Sequence, residues 1–176
     1  MSTLTQDDLI GMVKEITEEV FSTMLGASVQ CGAAHLGKPK TASHGVVSFV
    51  GIAGPWAGMG SISCSAASAC KLSGHLMMAE YGAVDEEVLD AIAELTNMII
   101  GNVKTKLEDK LGSMGLSIPT VVYGRNFTSR TLRQQDWIIV PFDCGEEHFE
   151  VQLCLVPQEQ AKPKVAQFAF AETVEL

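Results

Sequence analysis

Basic residues are scarce in this chain. Twelve Lys and Arg stand against 21 Asp and Glu, a formal charge of −9 at pH 7, and such a surface repels nucleic acid and anionic membranes alike. Neither is an expected partner. Long apolar runs are missing as well: none approaches the roughly 20 residues needed to span a bilayer, and residues 1–17 lack the basic start and apolar run of a secretory signal. The expectation is a soluble, cytoplasmic protein. Cys31, Cys64, Cys70, Cys144 and Cys154 are odd in number, dispersed and without a CxxC pair, which reads as reduced core thiols. His35, His44, His75 and His148 are equally scattered and form no ligand spacing with the cysteines or carboxylates, so no metal site of the protein's own is expected. There is no GxGxxG opening a helix, no GxxxxGK[ST] and no GxSxG. The glycines of GIAGPWAGMG suit a hairpin turn rather than a phosphate cradle.

Aromatics make up only 6% of the 176 residues, yet 47% are hydrophobic, so the core must come from aliphatics, Ala and Met. That is enough for one packed domain, expected over 1–156. Residues 157–176 read as a tail, a charged linker followed by VAQFAF, able to add a strand or to pack on a neighbour.

Thr5 or Asp7 caps a first helix whose apolar face is Leu9, Met12, Val13, Ile16, Val20 and Met24, with Gly26 as its stop. Residues 27–34 alternate loosely as a candidate strand, and 37–40 break into a loop. Val46 to Ile52 and Met59 to Ser65 form a hairpin around a turn at residues 54–58. Ser65 or Ser68 caps a short helix that Gly82 ends. A long helix follows from Asp85 to Gly112. After it come a strand from Leu116 to Tyr123, in which Pro119 marks an edge or a bulge, and a second hairpin from Asp136 to Phe142 and His148 to Val156. Gly124 to Gln135 reads as loop. The order predicts an α+β fold, a largely antiparallel sheet packed against two or three helices, one of them long and central.

The long helix carries the chemistry. Leu89, Ile92, Ile99, Val103 and Leu107 fall on its apolar arc. Asp90, Glu94, Asn97, Gly101, Lys104 and Glu108 follow spacings of three and four, so they line up as a polar stripe on the other side. Gly101 is the odd member. A glycine inside a helix costs about 0.5–1 kcal/mol relative to alanine, a cost that makes sense where something must approach closely.

Asp90, Glu94 and Asn97 at this spacing, with Pro119 coming 22 positions after the asparagine, resemble the signature of the CheC/CheX/FliY family of chemotaxis phosphatases. The segment AELTNMIIGNV also resembles that family's central helix. The first helix offers Lys14, Glu18 and Phe21 at the corresponding three-four spacing, with no Glu-x2-Asn, so the single copy is similar to CheX rather than to CheC. The resemblance implies a phosphatase that removes the aspartyl phosphate of a CheY-type response regulator and works as a homodimer. It implies no cofactor of the protein's own, because the regulator supplies both Mg²⁺ and a lysine. It also implies roles: Asn97 orients the attacking water, Glu94 pairs with the regulator's lysine, Asp90 assists at the edge and Pro119 is structural. Chemistry supports the types, since a carboxamide both donates and accepts and can hold a water in line without being a strong base. Gly101 is expected to clear space for the partner. The alternative is a non-catalytic adaptor, because the fold is also similar to the middle domain of the flagellar switch protein FliM. A carboxylate and a carboxamide at this spacing favour the enzyme.

Overall fold

The computed structural model describes residues 4–39, 44–125 and 136–158. Among them the chain runs α1 (Gln6–Val20), a π-helical turn (Phe21–Leu25), β1 (Gln30–Cys31), β2 (His35–Gly37), β3 (His44–Ala53) and β4 (Trp56–Ser65). Then come α2 (Ala66–Met77), α3 (Glu86–Leu111), β5 (Gly115–Leu116), β6 (Thr120–Arg125), β7 (Trp137–Cys144) and β8 (Glu147–Pro157). The sheet is antiparallel throughout. Its core order is β7-β8-β4-β3, with β1 and β2 both on the outer side of β7 and β5 and β6 both on β3. The expected α+β architecture is therefore present.

Register explains the core. Val121, Ser48, Ile62, Val151 and Val140 stand side by side across β6, β3, β4, β8 and β7, and alternation along each strand repeats such rows on one face. The helices cover that face. Phe21 of the π-helical turn stacks on Phe149 at 5.0 Å between ring centroids, and Phe149 on Phe142 at 5.4 Å, which fastens the end of the first helix to β8 and β7. Cys64, Cys70 and Cys144 lie buried as free thiols, and burial pushes the Cys64 thiol up to about 12.

α3 is the middle helix, with α1 and α2 against its flanks and β3, β4 and β6 beneath it. It can sit close because Gly60 of β4 leaves room: a Cβ there would stand 2.5 Å from Ile100 Cδ1. Three contacts fix its pose. The Asp85 carboxylate caps the helix by accepting from Val88 N–H at 2.9 Å, Ser73 Oγ of α2 donates to the Val88 carbonyl at 3.2 Å, and Lys106 pairs with Glu15 of α1 at 2.8 Å.

Several boundaries differ from the sequence reading. Thr5 does cap α1, in a reciprocal box with Asp8, and Gly26 closes the following π-helical turn in a left-handed conformation. But α2 stops at Met77, five residues before the Gly82 expected to end it, with Met78 itself in the left-handed cap at φ 52°. A left-handed non-glycine residue costs about 1–2 kcal/mol. The turn of the first hairpin is only Gly54-Pro55, and β4 already includes Trp56. Within 27–34 only Gln30–Cys31 pairs, while His35–Gly37, expected next to a loop, forms β2. The strand expected from Leu116 to Tyr123 is two pieces, broken at Ser117–Pro119. The expected loop over 124–135 lies outside the described residues except for Gly124 and Arg125, which belong to β6. The VAQFAF segment also lies outside them.

Replacing Gly60 by Val should force Ile100 and α3 away from the sheet and lower unfolding free energy by about 1–3 kcal/mol. Gly11→Ala is the control: a Cβ at Gly11 meets nothing within 4 Å, so that change should be stabilising by about 0.5–1 kcal/mol. Urea denaturation of the two variants beside wild type measures both.

Candidate functional site on the outer face of the central helix

Burial separates the two sides of α3 cleanly. Val88, Ile92, Leu95, Ile99, Ile100, Val103 and Leu107 are buried, whereas Asp90 and Glu94 are exposed and Asn97 is half-buried. Leu89, expected on the apolar arc, is only half-buried, and Val88, Leu95 and Ile100 complete the arc instead. The seating of α3 turns its polar stripe away from the sheet.

Within the stripe, pairing is uneven. Lys104 Nζ donates to Glu108 Oε2 at 2.8 Å, and Glu108 Oε1 accepts the Met114 N–H at 2.7 Å. That carboxylate thus links the helix to the segment entering β5. Its hydrogen bond from Lys104, then that from the Met114 amide, hold it below its ordinary value of 4.5. Among the described residues the side chains of Asp90, Glu94 and Asn97 make no hydrogen bond or ion pair. The C-terminal half is therefore internally neutralised, and the N-terminal half presents two carboxylates and one carboxamide with their bonding capacity unused.

Gly101 is half-buried, and a Cβ on it would meet Leu116 Cδ1 at 3.6 Å, an ordinary contact. Packing does not oblige the glycine. Pro119 stands in the break between β5 and β6, both of which pair with β3. Proline brings no N–H to the ladder, and here Ser117 repairs the interruption: its N–H donates to the Gly51 carbonyl at 2.9 Å and its Oγ accepts from Gly51 N–H at 2.8 Å. The structure thus collects Asp90, Glu94, Asn97 and Gly101 on one helix side, with Pro119 at the neighbouring sheet edge.

Two contributors escaped the sequence reading. Glu87 lies seven residues before Glu94, about two turns, and so begins the stripe. Tyr81 Oη donates to Glu87 Oε2 at 3.1 Å, tying the α2–α3 loop to it. The signal for Glu87 was the same periodicity, extended one step back. His75 is exposed, and His148 Nδ1 pairs with Asp143 at 2.9 Å on the surface. Among the described residues no cluster of three His, Cys, Asp or Glu could hold a metal, and no helix is long and apolar enough to cross a membrane.

The family model described as chemotaxis phosphatase CheX matches residues 46–143, more than half of the chain. The chain belongs to the CheX family. A curated relative, the CheY-P phosphatase CheX of Thermotoga maritima, is 36% identical over 124 residues, covering 67% of this chain and 74% of the relative. A CheC-like superfamily protein from Shewanella sp. PV-4 superposes with a TM-score of 0.76 at 27% identity, over 87% of this chain and 99% of that one. The CheX of a CheX–CheY–BeF3–Mg²⁺ complex from Borrelia burgdorferi gives 0.69 at 26%, over 84% of this chain and 97% of the other. The matched span holds α3 whole and with it every member of the CheX-like stripe.

The Glu108 contacts predict an acid dependence. Because its carboxyl titrates lower in the folded protein than its ordinary 4.5, the stability it contributes is fully present above that value and is lost as pH falls through the lower, folded one. Glu108→Gln should therefore flatten the fall of the urea midpoint below pH 4.5 while leaving its shape between pH 6 and 8 unaltered.

Proposed function

We propose that this protein is a phosphatase for the aspartyl phosphate of a CheY-type response regulator, with Glu94 and Asn97 of α3 entering the regulator's active site. The observation that carries the reading is the half-paired stripe: one carboxylate and one carboxamide, three residues apart on one helix, turned away from the sheet and without a side-chain partner among the described residues. Family membership supports the reaction class. The geometry supports the division of labour.

An aspartyl phosphate is already an activated acyl phosphate, so hydrolysis needs positioning more than new chemistry. Water oxygen attacks phosphorus, the bond from phosphorus to the acyl oxygen breaks, the regulator's aspartate leaves as a carboxylate, and the proton lost by water departs with inorganic phosphate. Asn97 holds that water in line through its amide oxygen and nitrogen. Glu94, one turn earlier, pairs with the regulator's lysine and sets the register of the helix. Mg²⁺ belongs to the regulator. Asp90 borders the contact, Gly101 admits the partner's loops, and Pro119, with Ser117, ends one strand and starts the next beside the helix.

The reading carries with it a cytoplasmic homodimer. Its support is the outer edge of β6, which pairs with β3 alone among the described residues, beside Ile118 at 85% and Val122 at 37% exposure. An apolar edge of that kind favours pairing with a second sheet. Light scattering tests it: Val122→Lys should shift a dimeric wild type towards monomer.

The decisive assay follows the decay of a phosphorylated CheY-type receiver with Mg²⁺. Wild type should shorten the phosphate lifetime many-fold. Asn97→Ala should lose about 100-fold or more in kcat while still binding, and Glu94→Ala should raise KM about tenfold or more. A receiver that binds tightly yet decays no faster with wild type than alone would make the stripe a docking surface and the protein an adaptor.

A further inference from the structure

Two lysine–glutamate pairs share a four-residue spacing along a helix, and only one of them is held. Lys14 and Glu18 of α1 stand 4.0 Å apart with side chains 53% and 44% exposed, whereas Lys104 and Glu108 of α3 meet at 2.8 Å with side chains only 18% and 24% exposed. Spacing does not explain the difference. Lysine ahead of glutamate is the less favourable order on a helix, but the second pair has a further restraint: Met114 N–H donates to the other oxygen of Glu108 at 2.7 Å. Glu108 thus gives one oxygen to the backbone entering β5 and presents the other to Lys104.

Without that hold the lysine has another place to go. Helical side chains lean toward the N-terminus, and Asn97 lies two turns back on the same side, about 10.5 Å along the axis. Between them is Gly101, where a Cβ would meet Leu116 Cδ1 at 3.6 Å and no atom of Lys104. The lane is open and unused. A lysine stem laid along it would bring the ammonium to the Asn97 carboxamide oxygen, the acceptor that the proposed mechanism gives to water, and to within one turn of Glu94. We propose that Glu108 is a positioning residue of the phosphatase site: by holding Lys104 toward the C-terminal end of α3, it keeps that ammonium off Asn97 and Glu94. The inference rests on the phosphatase reading above and adds to it the group that leaves its two residues free. Gly101 creates the need, because the side chain it omits would otherwise stand in the lysine's way.

Glu108→Gln releases the lysine without cutting the tether to β5. Glutamine has one acceptor oxygen in place of two; with that oxygen on the Met114 amide, its NH2 group faces Lys104 and no longer holds it. A second variant adds Lys104→Met to Glu108→Gln, which removes the ammonium and keeps an unbranched stem. Both are compared with wild type, as full chains, in steady-state hydrolysis of a phosphorylated CheY-type receiver with Mg²⁺. Glu108→Gln should lower kcat/KM about tenfold, the effect of one charge-assisted hydrogen bond that must break before Asn97 can hold water. The added Lys104→Met should bring kcat/KM back to within about threefold of wild type. Without receiver, the side-chain amide resonances of Asn97 should move in Glu108→Gln and return in the double variant. Full activity in Glu108→Gln, or an Asn97 amide that does not move, overturns the positioning role and leaves the phosphatase reading standing. So does a double variant as slow as Glu108→Gln, which would put the effect in the Met114 tether. If wild type hydrolyses no receiver, the phosphatase reading and the positioning role fall together.

Discussion

The close seating of α3 on β4 is the constraint on which the rest depends. Ile100 reaches into the space above Gly60, and the flanks of α3 are taken by α1 and α2, so only one side of a 26-residue helix is left to solvent. Rotation about the axis by even one residue, about 100°, would bury Glu94 or expose Ile99. The apolar rows of the sheet thereby decide which functional groups face outward, although none of those strands contributes one itself. The Asp85 cap, the Ser73 hydroxyl and the Lys106–Glu15 pair add local restraints to a pose that the core already fixes.

Electrostatics then divide the exposed side. Glu108 occupies Lys104 and at the same time holds the backbone of Met114, which removes the one cation of the stripe from competition for Glu94. A free lysine on this face would lie within reach of any acidic group a partner brought. With it neutralised, the N-terminal half of the stripe presents carboxylate oxygens and one carboxamide but no cation, in a form that suits a cationic side chain approaching from outside. The same carboxylate that quiets the stripe also fastens the start of β5, so site and sheet edge are joined through one residue.

Much of this was legible in the sequence because it depends on residues close together in the chain. Thr5 before Asp8, Asp85 before a run of helix formers, and the three-four spacing of the stripe all express local geometry. The strand pairs around Gly54-Pro55 and around residues 145–146 were equally readable from alternation. What was not legible depends on distant partners. β1 and β2 are strands only because β7 lies beside them, and the break at Ser117–Pro119 depends on Gly51, 66 residues away, offering its N–H to the serine hydroxyl. The end of α2 was misplaced because glycine is the expected stop, and Gly82 stood nearby; instead the tie between Tyr81 and Glu87 folds the loop back early, and Met78 takes the left-handed turn. Gly101 stood out in the spacing, but sequence could not reveal that the fold itself would tolerate a methyl group there.

The spacing of Glu94 and Asn97 has a consequence for partner choice. Three helical residues advance about 4.5 Å along the axis and turn about 300°, and a helix this firmly seated holds that interval without give. It behaves as a fixed gauge rather than as an adaptable hand. Under the proposed function, the partner must offer its cation and its reacting phosphorus at the matching interval, and one with the same groups spaced a turn apart would be refused.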